Sequence, residues 1–117
     1  MKSFISTHEQ RPTTVYSDHG GIGSIEFRRL LEAHDFLSNV DFVDVSVIPP
    51  GCTFGPHKHV DNEELYCILR GEPLVRVDGF EQRLTRGDIA VVRSGQWHEL
   101  VNDTQDEVEI FVIQVRQ

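Results

Sequence analysis

The sequence predicts an all-β fold, an antiparallel sandwich or barrel, on three observations. Short segments rich in Val, Ile and Phe recur along the chain, separated by turn residues at intervals of about 8–12 residues. Asp78-Gly79 stands between Val77 and Phe80, a two-residue hairpin signal, because Asp and Gly accept the positive φ angles of a type I′ turn. Only Leu31–Leu37 has any helical character, and it is long enough for a single short turn.

Taken in order, residues 1–23 read as a lead-in segment and 24–117 as one barrel domain. The lead-in ends in Gly20-Gly21-Ile22-Gly23, which suits a turn but lacks the strand-to-helix unit of a phosphate loop. Ser24–Leu30 carries Ile25 and Phe27 in alternation and is expected to be a strand. Further strands are expected over Val40–Ile48, Glu64–Arg70, Pro73–Val77, Phe80–Thr85, Asp88–Arg93, Trp97–Asn102 and Glu107–Val115. Pro49-Pro50-Gly51, Arg86-Gly87-Asp88 and Ser94-Gly95 supply turns between them. The last strand is apolar on both faces: Val108, Ile110 and Val112 on one, Phe111, Ile113 and Val115 on the other. One face fills a barrel. The other needs cover from the N-terminal segment or a second subunit, so a homodimer is expected.

Composition narrows the partners. A chain of 117 residues with 11 Lys and Arg against 19 Asp and Glu has a net charge of −8, which argues against nucleic acid and anionic membrane surfaces. Met1–Asp18 has no apolar core of a signal peptide, and runs such as Ile110–Ile113 are too short to cross a bilayer. Cys52 and Cys67 read as free thiols, so a cytoplasmic location is expected.

The chemistry lies in the histidines. His57-Lys58-His59 places two imidazoles at i and i+2, on one face of a strand. Glu64 follows at the start of the next strand, and His98 stands on another. Three imidazoles and a carboxylate are a common ligand set for a divalent transition metal. Neighbouring strands, about 4.8 Å apart, can bring such groups to one centre. Tyr66 shares the face of Glu64 and is a candidate to offer its hydroxyl to a substrate, whereas alternation turns Glu63 away. Gln96 and Trp97 precede His98 and are candidates to shape a substrate entrance. His8, His19 and His34 have no partners at ligand spacing and read as surface residues.

At these residues the sequence resembles the cupins. Their first motif, G-x5-H-x-H-x3,4-E-x6-G, is met by Gly51, His57, His59, Glu64 and Gly71. Their second, G-x5-P-x-G-x2-H-x3-N, is met by Gly87, Gly95, His98 and Asn102, with Arg93 in place of Pro. The resemblance implies a double-stranded β-helix, or jelly-roll, barrel with a metal inside one end. It implies His57, His59, Glu64 and His98 as metal ligands, and Asn102 as a turn or strand-end residue. Arg93, near the barrel mouth, becomes a candidate for an anionic group of a substrate. The implied function is a metal-dependent enzyme acting on a small polar metabolite, first of all an oxygenase. The alternatives are a zinc-dependent redox-neutral isomerase, lyase or bond-forming enzyme of natural-product biosynthesis, and a non-catalytic ligand-binding module. Fe, Mn, Ni and Zn all suit the ligand set. Because imidazoles bind metal only when neutral, metal loss is expected below about pH 6.

Overall fold

Ten strands form two antiparallel sheets, as described over residues 5–7 and 12–117 of a computed structural model. They are β1 (Thr14–Tyr16), β2 (Ile25–Glu32), β3 (Val40–Ile48), β4 (Thr53–Lys58), β5 (Asn62–Arg70), β6 (Leu74–Val77), β7 (Phe80–Arg83), β8 (Ile89–Val92), β9 (Trp97–Val101) and β10 (Val108–Arg116). One sheet has the order β1-β2-β3-β10-β5-β8 and the other β4-β9-β6-β7. This is the jelly-roll barrel the motifs imply.

The expected strands form close to their expected bounds. Asp78 and Gly79 adopt φ of 48° and 81°, and Val77 pairs with Phe80 across the turn. The helical turn shrinks to three residues of 3-10 helix, Ala33–Asp35, because Leu31 and Glu32 complete β2. Two strands were not foreseen as such, β1 and β4. β1 is a three-residue edge whose register comes from pairing with β2, which no local pattern announces. β4 holds Gly55 and Pro56, residues depleted in strands.

The core lies between the sheets. Ile25, Ile48, Ile68, Val92, Leu100, Val108 and Ile110 are all at most 1% exposed. On β10, Val108, Ile110 and Val112 point inward and are buried, while Phe111, Ile113 and Val115 are half-buried outside. Val43 and Val45, which pair with Ile113 and Phe111, are buried on that outer face too.

The lead-in is stitched into the barrel. Gly55 N donates to Asp18 O at 3.0 Å, Thr53 N to Ile22 O at 3.0 Å, and Ile22 N to Thr53 Oγ1 at 2.8 Å. A Cβ on Gly55 would collide with the carbonyl oxygens of His19 and Asp18, so only glycine lets this segment lie so close to β4. Among the described residues no helix is long and apolar enough to cross a membrane.

Asn102 ties the loop before β10 to the rest of the barrel. Its Nδ2 donates to Ile48 O at 2.9 Å and Asp106 O at 2.8 Å, and its Oδ1 accepts from Thr104 N and Oγ1. Asn102 is 0% exposed, so Asn102→Ala removes the buried bond to Ile48 O and the acceptor of Thr104 N and Oγ1, while Asp106 O keeps its bond from Thr104 Oγ1. The expected loss is about 2–4 kcal/mol of stability, read as a lower urea midpoint at unchanged slope. A loss under about 0.5 kcal/mol would mean that water replaces these bonds.

Candidate metal centre

Three elements carry the donor atoms. β4 and β9 pair so that His57 lies directly opposite His98. His59 falls one residue beyond the end of β4, where its N donates to Gln96 O at 3.1 Å and its O accepts from Gly95 N at 2.7 Å. The i, i+2 spacing therefore works even though the strand does not continue. Glu64 comes from β5 in the opposite sheet.

His98 Nε2 lies 2.8 Å from His57 Nε2 and 2.9 Å from His59 Nε2. The Glu64 carboxylate reaches to 3.8 Å from His59 Nε2 and 3.9 Å from His98 Nε2. The tautomers are constrained by the outer ring nitrogens. His57 Nδ1 faces Gly55 O at 2.8 Å and must donate to it. His59 Nδ1 faces Asn62 Oδ1, and Asn62 Nδ2 is turned to Val60 O, so His59 Nδ1 also donates. Both Nε2 atoms are then bare lone pairs aimed at His98 Nε2, which can give a proton to only one of them. Three Nε2 atoms thus converge with at most one hydrogen among them, an arrangement a cation satisfies. Two ligands set at right angles about 2.0–2.1 Å from a common ion would lie about 2.9 Å apart, so the spacing fits.

The electrostatics agree. Burial, followed by the charges of Asp18 and Asp44, raises the Glu64 carboxyl from the usual 4.5 to about 8. Burial, followed by His57 and His59, lowers His98 from 6.5 to about 3. His57 is lowered too, chiefly by burial, with its bond to Gly55 working the other way. Without a cation, then, His57 and His98 prefer to stay neutral and the Glu64 carboxylate lacks a counter-charge.

Tyr66 is 1% exposed and lines the same cavity, and among the described residues its hydroxyl has no hydrogen-bond partner. Burial, then the Glu64 charge, raises its pKa, so it stays a donor. Arg93, Gln96 and Trp97 do not line this cavity. Arg93 and Gln96 close a turn on each other, with Arg93 N donating to Gln96 Oε1 at 2.8 Å and Gln96 N to Arg93 O at 3.0 Å. Trp97 is 54% exposed, because alternation along β9 turns it away when His98 points in.

Two features escaped the sequence reading. His19 stacks on His57 with ring centroids 3.6 Å apart and lines the cavity, although it is half exposed. Its neighbour Asp18 is buried and sits 2.9 Å from it. His8 lies outside the described residues. The second feature is an ion pair in the cavity: Arg29 Nε to Asp44 Oδ1 at 2.9 Å and Nη2 to Oδ2 at 3.1 Å. The signal for Asp44 was present: Phe42, Asp44 and Ser46 share one face of β3 with the core residue Ile48. The cavity has a volume of about 480 Å³, with Tyr16, Phe27, Phe42, Phe54 and Val60 among its walls.

The cupin-domain family (Cupin_2) matches residues 44–114, and the chain belongs to it. The chain is 27% identical over 109 residues to an oxalate-binding protein of Thermotoga maritima, covering 93% of this chain and 90% of that one. The crystal structure of a predicted oxalate decarboxylase from Thermotoga maritima superposes with a TM-score of 0.93 at 24% identity, over 97% of this chain and 100% of that one. An RmlC-like cupin from Shewanella frigidimarina gives a TM-score of 0.77 at 22% identity, over 99% and 93%. This is a cupin whose three-histidine cluster can hold a metal ion.

Proposed function

We propose that this cupin holds a divalent metal on His57, His59, His98 and Glu64 and binds a small carboxylate beside it. The observation that carries this is the convergence of three Nε2 atoms with too few hydrogens to satisfy one another. The metal, when bound, supplies Lewis acidity and a point of attachment for a chelating acid. Glu64 offsets one of its charges. Gly55 and Asn62 hold His57 and His59 in the ligating tautomer. Tyr66 offers a neutral O–H to a bound carboxylate. The kinship with an oxalate-binding protein supports a small acid as ligand.

A second reading is catalytic, with an oxygenase first among the reactions. It is favoured by Tyr66, a buried proton donor spent on no protein group. One experiment addresses both readings. Elemental analysis of the purified protein is followed by calorimetric titration with oxalate and by oxygen uptake with small chelating acids. Stoichiometric metal with oxalate binding and no uptake supports the binding protein. Uptake with product formation supports the oxygenase. No metal after reconstitution with Fe(II), Mn(II), Ni(II) or Zn(II) would overturn both.

The same proposal includes a homodimer, covering the half-buried Phe111, Ile113 and Val115 on the outer face of β10, and a cytoplasmic location, in keeping with two free cysteines. Light scattering at a monomer mass of 13.4 kDa would remove the dimer.

A further inference from the structure

We infer that Arg29 is a second anchor of the ligand site, and that the ligand is an acid with two anionic groups, longer than oxalate, bridging the metal centre and Arg29. This rests on the metal-centred reading above and extends it to the class of ligand.

The argument begins with how Arg29 is held. Asp44 takes two of its five N–H groups, from Nε and Nη2. The guanidinium carbon lies 4.1 Å from the Phe42 ring centroid and 5.4 Å from that of Phe27. The group is therefore fixed in plane by the aromatic rings and in rotation by the carboxylate, so little further ordering is required when a ligand binds. Among the described residues no hydrogen bond reaches Nη1. A planar edge of N–H donors is left over on a residue that lines the cavity the three histidines share. Such an edge matches a carboxylate or phosphate.

The register sets the span. Arg29 pairs with Asp44, Asp44 with Val112, and Val112 with Tyr66, so these residues form one inward row across β2, β3, β10 and β5. Glu64 lies two residues along β5 from Tyr66. The guanidinium is bonded to Asp44 on β3, two strand spacings, or about 10 Å, from β5, the strand that carries Glu64. A two-carbon diacid that chelates the metal spends both carboxylates there and leaves none for Arg29. A longer acid can chelate at one end and present a second carboxylate at the other. The cavity volume of about 480 Å³ is also far more than oxalate fills, and Phe27 and Phe42 supply apolar walls for a carbon chain.

The test uses the full chain loaded with Mn(II) and three probes: 2-oxoglutarate, 2-oxopentanoate and oxalate. The first two share a chain length and differ in the second carboxylate. Calorimetry should give at least about 10-fold tighter binding of 2-oxoglutarate than of 2-oxopentanoate. Arg29→Gln should lower 2-oxoglutarate affinity by about 10–100-fold, the size of a lost charged hydrogen-bond pair, and leave the other two within about 2-fold. Because Arg29→Gln leaves Asp44 buried and unpaired, the double variant Arg29→Gln/Asp44→Asn, neutral on both sides, should behave alike. Arg29→Lys should recover only part of the preference. Equal affinity for the two oxo acids, an unchanged ratio in both variants, or no binding of either acid overturns the proposal. So does loss of the preference in Lys58→Gln but not Arg29→Gln, since Lys58 reaches the same cavity. Metal stoichiometry, measured on the same samples, judges the metal centre separately. If no metal binds, the ratio is read on the metal-free protein, where a preference that Arg29→Gln abolishes still upholds the anchor.

Discussion

His98→Ala is expected to lower metal affinity by more than about 100-fold while leaving the fold intact. His98 Nε2 is the middle atom of the cluster, 2.8 Å from His57 and 2.9 Å from His59. Loss of a partner that merely supports a ligand costs about 10–100-fold, so loss of a ligand itself should exceed that. The fold should survive because His98 Nδ1 makes no hydrogen bond within the described residues and its Nε2 can give a proton to only one of His57 and His59, so alanine removes packing and at most one hydrogen bond. Competition against a calibrated chelator gives the affinity, and a urea titration of the metal-free variant gives the stability. Full metal occupancy in this variant would break the assignment of the centre.

Glu64→Gln should do two opposite things. It should cost most of the metal affinity, because a charged ligand becomes a neutral one. In metal-free protein at pH 8–9 it should raise stability. Glu64 is raised to about 8 in the folded state against 4.5 ordinarily. Between these values the folded chain holds a proton that the unfolded chain has released. Its contribution is fully present below 4.5 and is lost as pH rises through 8. His98 runs the other way: lowered to about 3 from 6.5, its contribution is present above 6.5 and is lost as pH falls towards 3. Metal-free protein should therefore be most stable between about pH 4.5 and 6.5. At pH 8–9 the glutamine variant should gain on the order of 2–4 kcal/mol, or about 5–10 °C in melting temperature. A flat stability profile over pH 5–9, with no gain in the variant, would refute the argument.

The same shifts revise the pH dependence of metal binding. The sequence alone points to release below about pH 6, the range of ordinary imidazoles. In the folded protein Glu64 is the group that competes with the metal from about pH 8 downward, while burial keeps His98 neutral to about 3. Affinity should fall gradually, up to about tenfold per pH unit below 8, rather than collapse at 6.

By itself the sequence determined what depends on near neighbours along the chain. Apolar runs bounded by turn residues marked β3, β5 and β10 as strands, and the period of two put Tyr66 on the face of Glu64. Asp78-Gly79 determined a turn, because few residues tolerate its positive φ angles. The spacing of His57, His59, Glu64 and His98 carried the candidate centre, because these residues recur at the motif positions of a known family. Tertiary structure decided the rest. Arg29 meets Asp44 only through the β2–β3 register, and His19 reaches His57 only because the lead-in packs against Gly55. Arg93, Gln96 and Trp97 lie close to His98 in sequence yet do not line the cavity, since Arg93 and Gln96 close a turn on each other and one step along β9 reverses Trp97 relative to His98. Contacts between segments far apart in the chain depend on strand register and close backbone approach, and neither leaves a local signature. The walls and charge of the cavity, and with them the choice of ligand, are therefore properties of the folded barrel.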